Sequence, residues 1–238
     1  MKLSPEIMTI LTNSCAVARS LGITEIAIED TGSENIIRGM ADKGTPVLIL
    51  DQIKDELDFR DLAIRDTTMF LNRVQLATHS DEDHKVTINV DSSSQSVSGF
   101  NFKGKKFKMN FATGSSKAIR SPKKLNDVTV VKFVMNPETV DTINKATSAV
   151  VGEDMTLVSD GLQVSFEVKT STKDTFTYTI TDELEKVDGD NGEFVFSYPV
   201  KTLLLLVKNS DTKQFGIGKR GILNTTINHI NVYLLPKV

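Results

Sequence analysis

KLSPEIMTIL at residues 2–11 and VMNPETVDTI at residues 134–143 open two stretches of the same design. Laid on each other, Ser4-Pro5-Glu6 and Asn136-Pro137-Glu138 are 132 residues apart. In both, a short polar residue suited to capping a helix is followed by a proline and a glutamate. Proline at the first helical position loses no hydrogen bond, and the acid favours the positive end of the helix dipole. The first helix is predicted from Pro5 to about Arg19, with Ile7, Ile10, Leu11 and Ala18 on an apolar face. Thr9, Thr12, Asn13 and Ala16 make the other face small and polar. In the second copy Val140, Ile143 and Val150 point inward, while Asp141, Lys145 and Ser148 point out.

After each helix the periodicity changes from helical to alternating. Strands are predicted at 25–28, 35–40 and 47–50 after the first helix, and at 155–158, 162–168 and 176–180 after the second. Each half then holds another helix, from Asp66 to about Thr78 and from Pro199 to Val207, followed by further strands such as 85–90 and 229–234. The repeated unit is helix, strands, helix, strands. Turn-forming residues gather at 112–117 and 120–124. The chain is therefore read as two similar α+β domains, 1–112 and 127–238, joined by a linker at 113–126, with helices on one face of antiparallel sheets.

Composition fits that reading. The chain has 238 residues, enough for two cores, and its 39% hydrophobic and 25% charged content excludes a disordered polymer. No charged-then-apolar leader opens it, and the run Leu203–Val207 is too short to span a bilayer, so a soluble, intracellular protein without membrane contact is expected. The single cysteine, Cys15, forms no internal disulfide and lies among Ser14, Ala16 and Val17, where burial explains it better than nucleophilic chemistry. A net charge of −3 argues against bulk coating of nucleic acid. Yet residues 101–124 carry eight Lys or Arg and no acid, which is either a solvated face or a surface for phosphate or an acidic partner.

The motifs that suggest chemistry fail on context. Gly216-Ile217-Gly218-Lys219-Arg220-Gly221 matches the glycine pattern of pyrophosphate sites, but β-branched residues follow where a helix is required, so a hairpin turn is expected. Asp188–Glu193 (DGDNGE) does not space its ligands as a calcium loop does, and reads as a tight turn. His79 and His84 flank Asp81, Glu82 and Asp83 in an exposed loop, with no further His or Cys evident to close a metal site. No catalytic residue, metal or cofactor is assigned, and an enzyme is not expected.

Four features together resemble the DNA sliding clamps of T-even-like phages: the opening MKLS, Leu11 near the middle of the first helix, DLAIRDTTMFLNRVQLA at 61–77 and DGDNGEFVFSYPVKTLLLL at 188–206. The resemblance implies a non-enzymatic polymerase processivity factor. It implies a homotrimeric ring of six domains, helices lining a hole that holds double-stranded DNA without sequence preference, and partners that include a DNA polymerase and an ATP-driven clamp loader. It also implies residence in the cytoplasm of an infected bacterial host. Candidate DNA-facing residues are Thr9, Asn13, Arg19, Asn72, Arg73, Lys145, Ser148, Lys201 and Lys208. Ring closure would pair 105–111 with 175–180 of a neighbour, through Lys105, Phe107, Met109 and Phe111 on one side and Phe176, Tyr178 and Ile180 on the other. Lysines 105, 106 and 108 would meet Asp182, Glu183 and Glu185. A partner-peptide pocket would lie near Leu125, Tyr233, Leu234, Leu235 and Pro236. The alternative is a two-domain β-rich structural or carbohydrate-binding virion protein.

Overall fold

Ser4 caps the first helix as its chemistry predicts: its Oγ accepts from Ile7 N at 3.2 Å, and α1 runs Pro5–Ser20. The structure is a computed structural model that describes residues 2–30, 35–41, 47–53, 57, 59–122, 124–150, 154–169, 175–181, 184–186 and 191–237, with backbone alone at 47–53, 150 and 181. Asn136 does the same for α3 (Pro137–Val150), accepting from Thr139 N at 2.8 Å. Asp66 caps α2 (Thr67–Ser80) by accepting from Met69 N at 2.7 Å, and α4 is Val200–Asn209 after Pro199. Three helices thus begin at a residue whose side-chain oxygen satisfies an orphan N–H.

The chain divides into two compact units, Met1–Lys124 and Leu125–Val238. In the first, β1 (Ile26–Asp30), β2 (Asn35–Met40), β3 (Val47–Ile53) and β4 (Asp61–Ile64) pair antiparallel in the order β3-β2-β1-β4. After α2, the strands β5 (Lys85–Val90), β6 (Val97–Lys103) and β7 (Lys108–Ala112) form a meander.

The second unit begins with β8 (Thr129–Val134). After α3 come β9 (Asp154–Asp160), β10 (Val164–Lys169), β11 (Thr175–Thr181), β12 (Leu184–Lys186) and β13 (Glu193–Pro199). After α4 come β14 (Gln214–Gly218), β15 (Leu223–Ile227) and β16 (Ile230–Leu234). One sheet has the order β11-β10-β9-β13, and within this unit β12-β8-β14-β15-β16 are neighbours in turn. The repeat is therefore topological: third, second and first strand after the leading helix, then the strand before the second helix. Even the bridge between Lys2 and Thr87 stands where β8 stands against β14.

Each unit builds its own core. In the first, Phe70 of α2 meets Phe100, Phe111 and Phe102 with ring centroids 5.1, 5.5 and 6.4 Å apart, and Leu11, Cys15 and Ala18 of α1 are fully buried. Cys15 is a core residue, and burial pushes its thiol pKa well up. In the second unit Ile143, Leu203, Leu206 and Val207 of the helices and Met155, Leu157 and Phe166 of the strands are fully buried, with α3 against β10 and α4 against β13. Buried and half-buried residues alternate along β9 and β10, the mark of a sheet with one covered face. Ile10 and Val140, read as inward, are only half-buried, and the side chain of Val150 lies outside the described residues.

The glycine-rich stretch at 216–221 is the β14–β15 hairpin, with no helix after it. Gly221 adopts φ +76°, and the Asp127 carboxylate accepts from Arg220 N and Ile222 N, at 3.0 and 3.1 Å, to close the turn. The two histidines lie around the exposed connection between α2 and β5, where His84 Nδ1–H donates to Asp81 O at 2.9 Å. Among the described residues no cluster of three or more His, Cys, Asp or Glu gathers as a metal would require. Asp188–Asp190 of the acidic turn lie outside the described residues, which resume at Asn191.

Residues 113–121 are tied to the first unit. Gly114 exchanges two hydrogen bonds with Ala63, both at 2.9 Å. Asp61 accepts from Ser116 N at 2.6 Å and Ser115 Oγ at 2.8 Å. Buried Arg38 holds the carbonyls of Ser116, Ile119 and Ser121.

Candidate functional site

The face of each unit opposite its sheets is made by a helix pair, α1 against α2 and α3 against α4. Its character follows from what each helix leaves outside. The four helices carry Arg19, Arg73, Lys145, Lys201 and Lys208 against Glu6, Glu138 and Asp141, a surplus of two positive charges in a chain whose net charge is −3. The sheets and loops therefore hold the negative excess, and the helices are the part suited to a polyanion.

Two depressions follow the α1–α2 seam. One, of about 560 Å³, is lined by Lys2, Met8, Thr9, Thr12, Asn13, Val74, Thr78 and Lys85 among others. The other, of about 840 Å³, is lined by Arg19, Asn72, Gln75, Leu76, His79 and Glu82 among others. The fold thus gathers four of the expected residues, Thr9, Asn13, Arg19 and Asn72, onto one open face. Thr9 Oγ1 donates to Pro5 O at 2.9 Å and Thr12 Oγ1 to Met8 O at 2.7 Å, so these hydroxyls turn back on the helix and leave a smooth polar surface.

Lys2, Lys85 and Gln75 join this face without having been singled out in sequence. Lys85 is the first residue of β5, directly after the α2–β5 connection. A strand entering beside a helix end places its first side chain near that end, which is the signal that was available.

Arg73 departs from the sequence expectation. It is half-buried and does not stand free toward solvent: Nη1 donates to Asn110 O at 2.6 Å, and the guanidinium lies 5.8 Å from the Phe111 ring centre. Lys145 is exposed, but Asp141 one turn earlier holds it at 2.6 Å and raises its pKa through that hydrogen bond. Ser148 Oγ donates to Asn144 O at 2.8 Å. Arg19, Lys201 and Lys208 are exposed as well, and among the described residues no ion pair holds them.

The two strands expected at a subunit interface each lie at an end of their sheets, β7 beside β6 and β11 beside β10. Their apolar side chains face inward. Phe111 and Ile180 are buried, Met109 is half-buried, and Phe176 and Tyr178 are half-buried with rings 5.9 and 5.6 Å from Phe166. Phe107 precedes β7 and lies over Gly104, while Lys105 is exposed and donates its N–H to Asp81 at 2.8 Å. What these strands leave open is backbone, because α2 and α3 cover the apolar faces. Asp182 and Glu183 lie outside the described residues; Glu185 pairs with Lys132 at 2.9 Å.

The region expected to take a partner peptide is less apolar than its sequence. Leu234 is buried in the core, leaving Leu125, Tyr233, Leu235 and Pro236 half-buried. Tyr233 lines a depression of about 180 Å³ walled by Thr129, Gln214, Asn224 and Asn231, which is polar. Lys237 N donates to Ser197 O at 2.8 Å, so the C-terminal segment runs beside β13.

No protein-family model matches the sequence, and no curated protein sequence matches it. Solved structures do match the fold. PCNA from A. fulgidus bound to the C-terminal region of FEN-1 is similar with TM-score 0.61 at 16% identity, over 96% of this chain and 95% of that one. PCNA from Thermococcus kodakaraensis is similar with TM-score 0.63 at 11% identity, over 97% and 96%. A chain of the PCNA2–PCNA3 complex from Sulfolobus tokodaii gives 0.59 at 15% identity, over 95% of each. The α+β, two-domain clamp fold is thus shown along nearly the whole chain.

Proposed function

We propose that this chain is a DNA sliding clamp: three copies close into a ring around double-stranded DNA and tether a replicative polymerase to it. The observation that carries the reading is the inverted charge of the repeated helix pairs in a clamp fold. In a negatively charged chain each of the two helix pairs carries a net positive charge among small polar residues.

A ring holds DNA by topology, so its lining has no need for strong phosphate contacts. Each neutralised phosphate adds salt-dependent attraction that must be broken at every step of sliding. A lining with few exposed cations, among them Arg19, Lys201 and Lys208, between threonines and asparagines suits movement without base reading. Two repeated units per chain and three chains supply six similar segments, in a head-to-tail arrangement that closes. Among the described residues β7 and β11 each end a sheet, and these edges are the surfaces that could join one copy to the next, with lysines 105, 106 and 108 close in sequence to one strand and the acids Asp182 and Glu183 following the other.

The similar structures support partners of the same kind, since one PCNA is bound to the C-terminal region of FEN-1 and another chain belongs to a PCNA2–PCNA3 complex. For this chain the partners in this reading are a DNA polymerase and an ATP-driven loader, and its setting is the cytoplasm of an infected bacterium, a reading supported by the resemblance of its sequence to T-even-like phage clamps. No helix among the described residues is long and apolar enough to cross a membrane. The clamp itself acts as a scaffold without catalysis.

The test is retention on DNA. After loading onto nicked circular duplex the protein stays bound through gel filtration, at a solution mass near three chains, and is lost when the circle is linearised. A stable monomer that leaves circular and linear DNA alike would instead favour the virion-protein alternative.

A further inference from the structure

The ladder decides which backbone groups β7 shows to the outside. Gly104 N donates to Phe107 O and Thr113 N to Ser98 O, on the same register that pairs Phe100 with Phe111. Odd-numbered residues of β7 therefore bond to β6, while Lys108, Asn110 and Ala112 turn their N–H and C=O groups to the free edge. One of these outward carbonyls is occupied. Arg73 reaches from α2 across the Phe111 ring and donates from Nη1 to Asn110 O at 2.6 Å.

The remaining contacts of this arginine are poor. Among the described residues Nη2 meets only the Met69 sulfur at 3.8 Å, and Nε is buried with no hydrogen-bond partner. A buried, unmet donor on a charged group opposes the contact that buries it. The cation is held by one carbonyl, a thioether and an aromatic face, with no carboxylate among these contacts.

We propose that Arg73 is a detachable cap on the β7 edge. In the lone chain it occupies the Asn110 carbonyl; when a second copy of this chain adds its β11 to that edge, an incoming N–H replaces it. The occupant is a second copy because the chain carries both halves of the joint: a sheet-end strand that begins at Lys108, just after Lys105 and Lys106, and another, β11, followed in sequence by the acids Asp182 and Glu183. A bare edge strand templates indiscriminate pairing, and taking one of its acceptors blunts that. Exchange replaces one hydrogen bond by another and frees the guanidinium with all its donors for the helix face. The inference rests on the clamp reading, and it explains how Arg73 can be folded back in the single chain and still serve the lining of a closed ring.

The experiment is sedimentation of wild type and R73M across a range of concentrations at fixed salt. Methionine keeps a stem over Phe111 and has no donor. R73M is expected to assemble at a lower concentration, by about tenfold per interface, which equals about 1.4 kcal/mol. R73K, with charge and a single donor centre, falls between the two. Should R73M melt far below wild type, R73A carries the same comparison. Variants that assemble at the wild-type concentration or above it overturn the cap while leaving the ring intact; a wild type that is monomeric at every concentration overturns the clamp reading and the cap together.

Discussion

The guanidinium of Arg38 donates to the main-chain carbonyl of Ile119 at 2.9 Å, across 81 positions of sequence. The same group reaches Ser116 O and Ser121 O, each at 2.9 Å, and pairs with Glu29 at 3.1 Å, with only 4% of its side chain exposed. A β2 residue thus anchors the segment that leaves the first unit. Three carbonyls and a carboxylate meet one planar cation, which is the arrangement that makes a buried arginine tolerable.

Arg38→Ala removes the donor that those carbonyls and Glu29 share. It is expected to destabilise the first unit by about 3 kcal/mol or more in urea unfolding. Trypsin should cut after Lys117 or Arg120 faster than in wild type. R38K restores charge but not the fork of donors, and is expected to recover less than half of the loss.

Ser14 lies fully buried on α1, and its hydroxyl meets no hydrogen-bond partner among the described residues. Replacing it with alanine removes the unmet polar group and improves helix propensity, so S14A is expected to raise stability by about 1 kcal/mol, read as a higher melting temperature.

Acid unfolding should report on Asp61. Burial opposes its charge, but hydrogen bonds from Ser116, Ser115 and Ser96 outweigh burial and hold its pKa below the ordinary carboxylate value. A lowered folded pKa contributes stability above the unfolded value, and that contribution disappears as pH falls through the folded one. Asp91, with Ser93 Oγ and the Ser94 and Ser93 N–H groups on its carboxylate, is brought to about 2 and adds to the same loss between about pH 4 and 2. D61N is expected to be less stable at pH 7 and to lose less on acidification, in unfolding curves taken at pH 7, 5, 4 and 3.

Charge reversal should rank the lining. Lys145 is already neutralised by Asp141, so K145E is expected to change the salt dependence of DNA association little. The pair K201E and K208E, or R19E, should flatten the slope of log K against log salt by up to about 0.9 per lost phosphate contact. Equal effects at all four positions would remove the distinction drawn here between paired and exposed cations.

Helix starts were legible because a cap is local: Ser4, Asp66 and Asn136 each bond to a donor three residues on. The half-buried strands β9 and β10 were legible through alternation. The short strands β4 and β12 carried no such pattern and were found only in the fold. Phe111 and Ile180 alternate correctly, but alternation says which residues share a face and not whether a helix covers it. For the same reason Leu234 read as pocket and proved to be core.

What the chain of residues determined by itself was the repeat: two capped, proline-started helices, each followed by strands, with a small, polar outer face on the first helix. Capping and periodicity act over a few residues, so they survive without coordinates. Tertiary structure alone decided that Arg73 bends back to Asn110, that Lys2 and Lys85 join Thr9 and Asn13, and that Arg38 holds residues 116–121. Lys2 apart, those relationships join positions tens of residues apart, where a long flexible side chain goes to whichever acceptor the fold brings within about 3 Å.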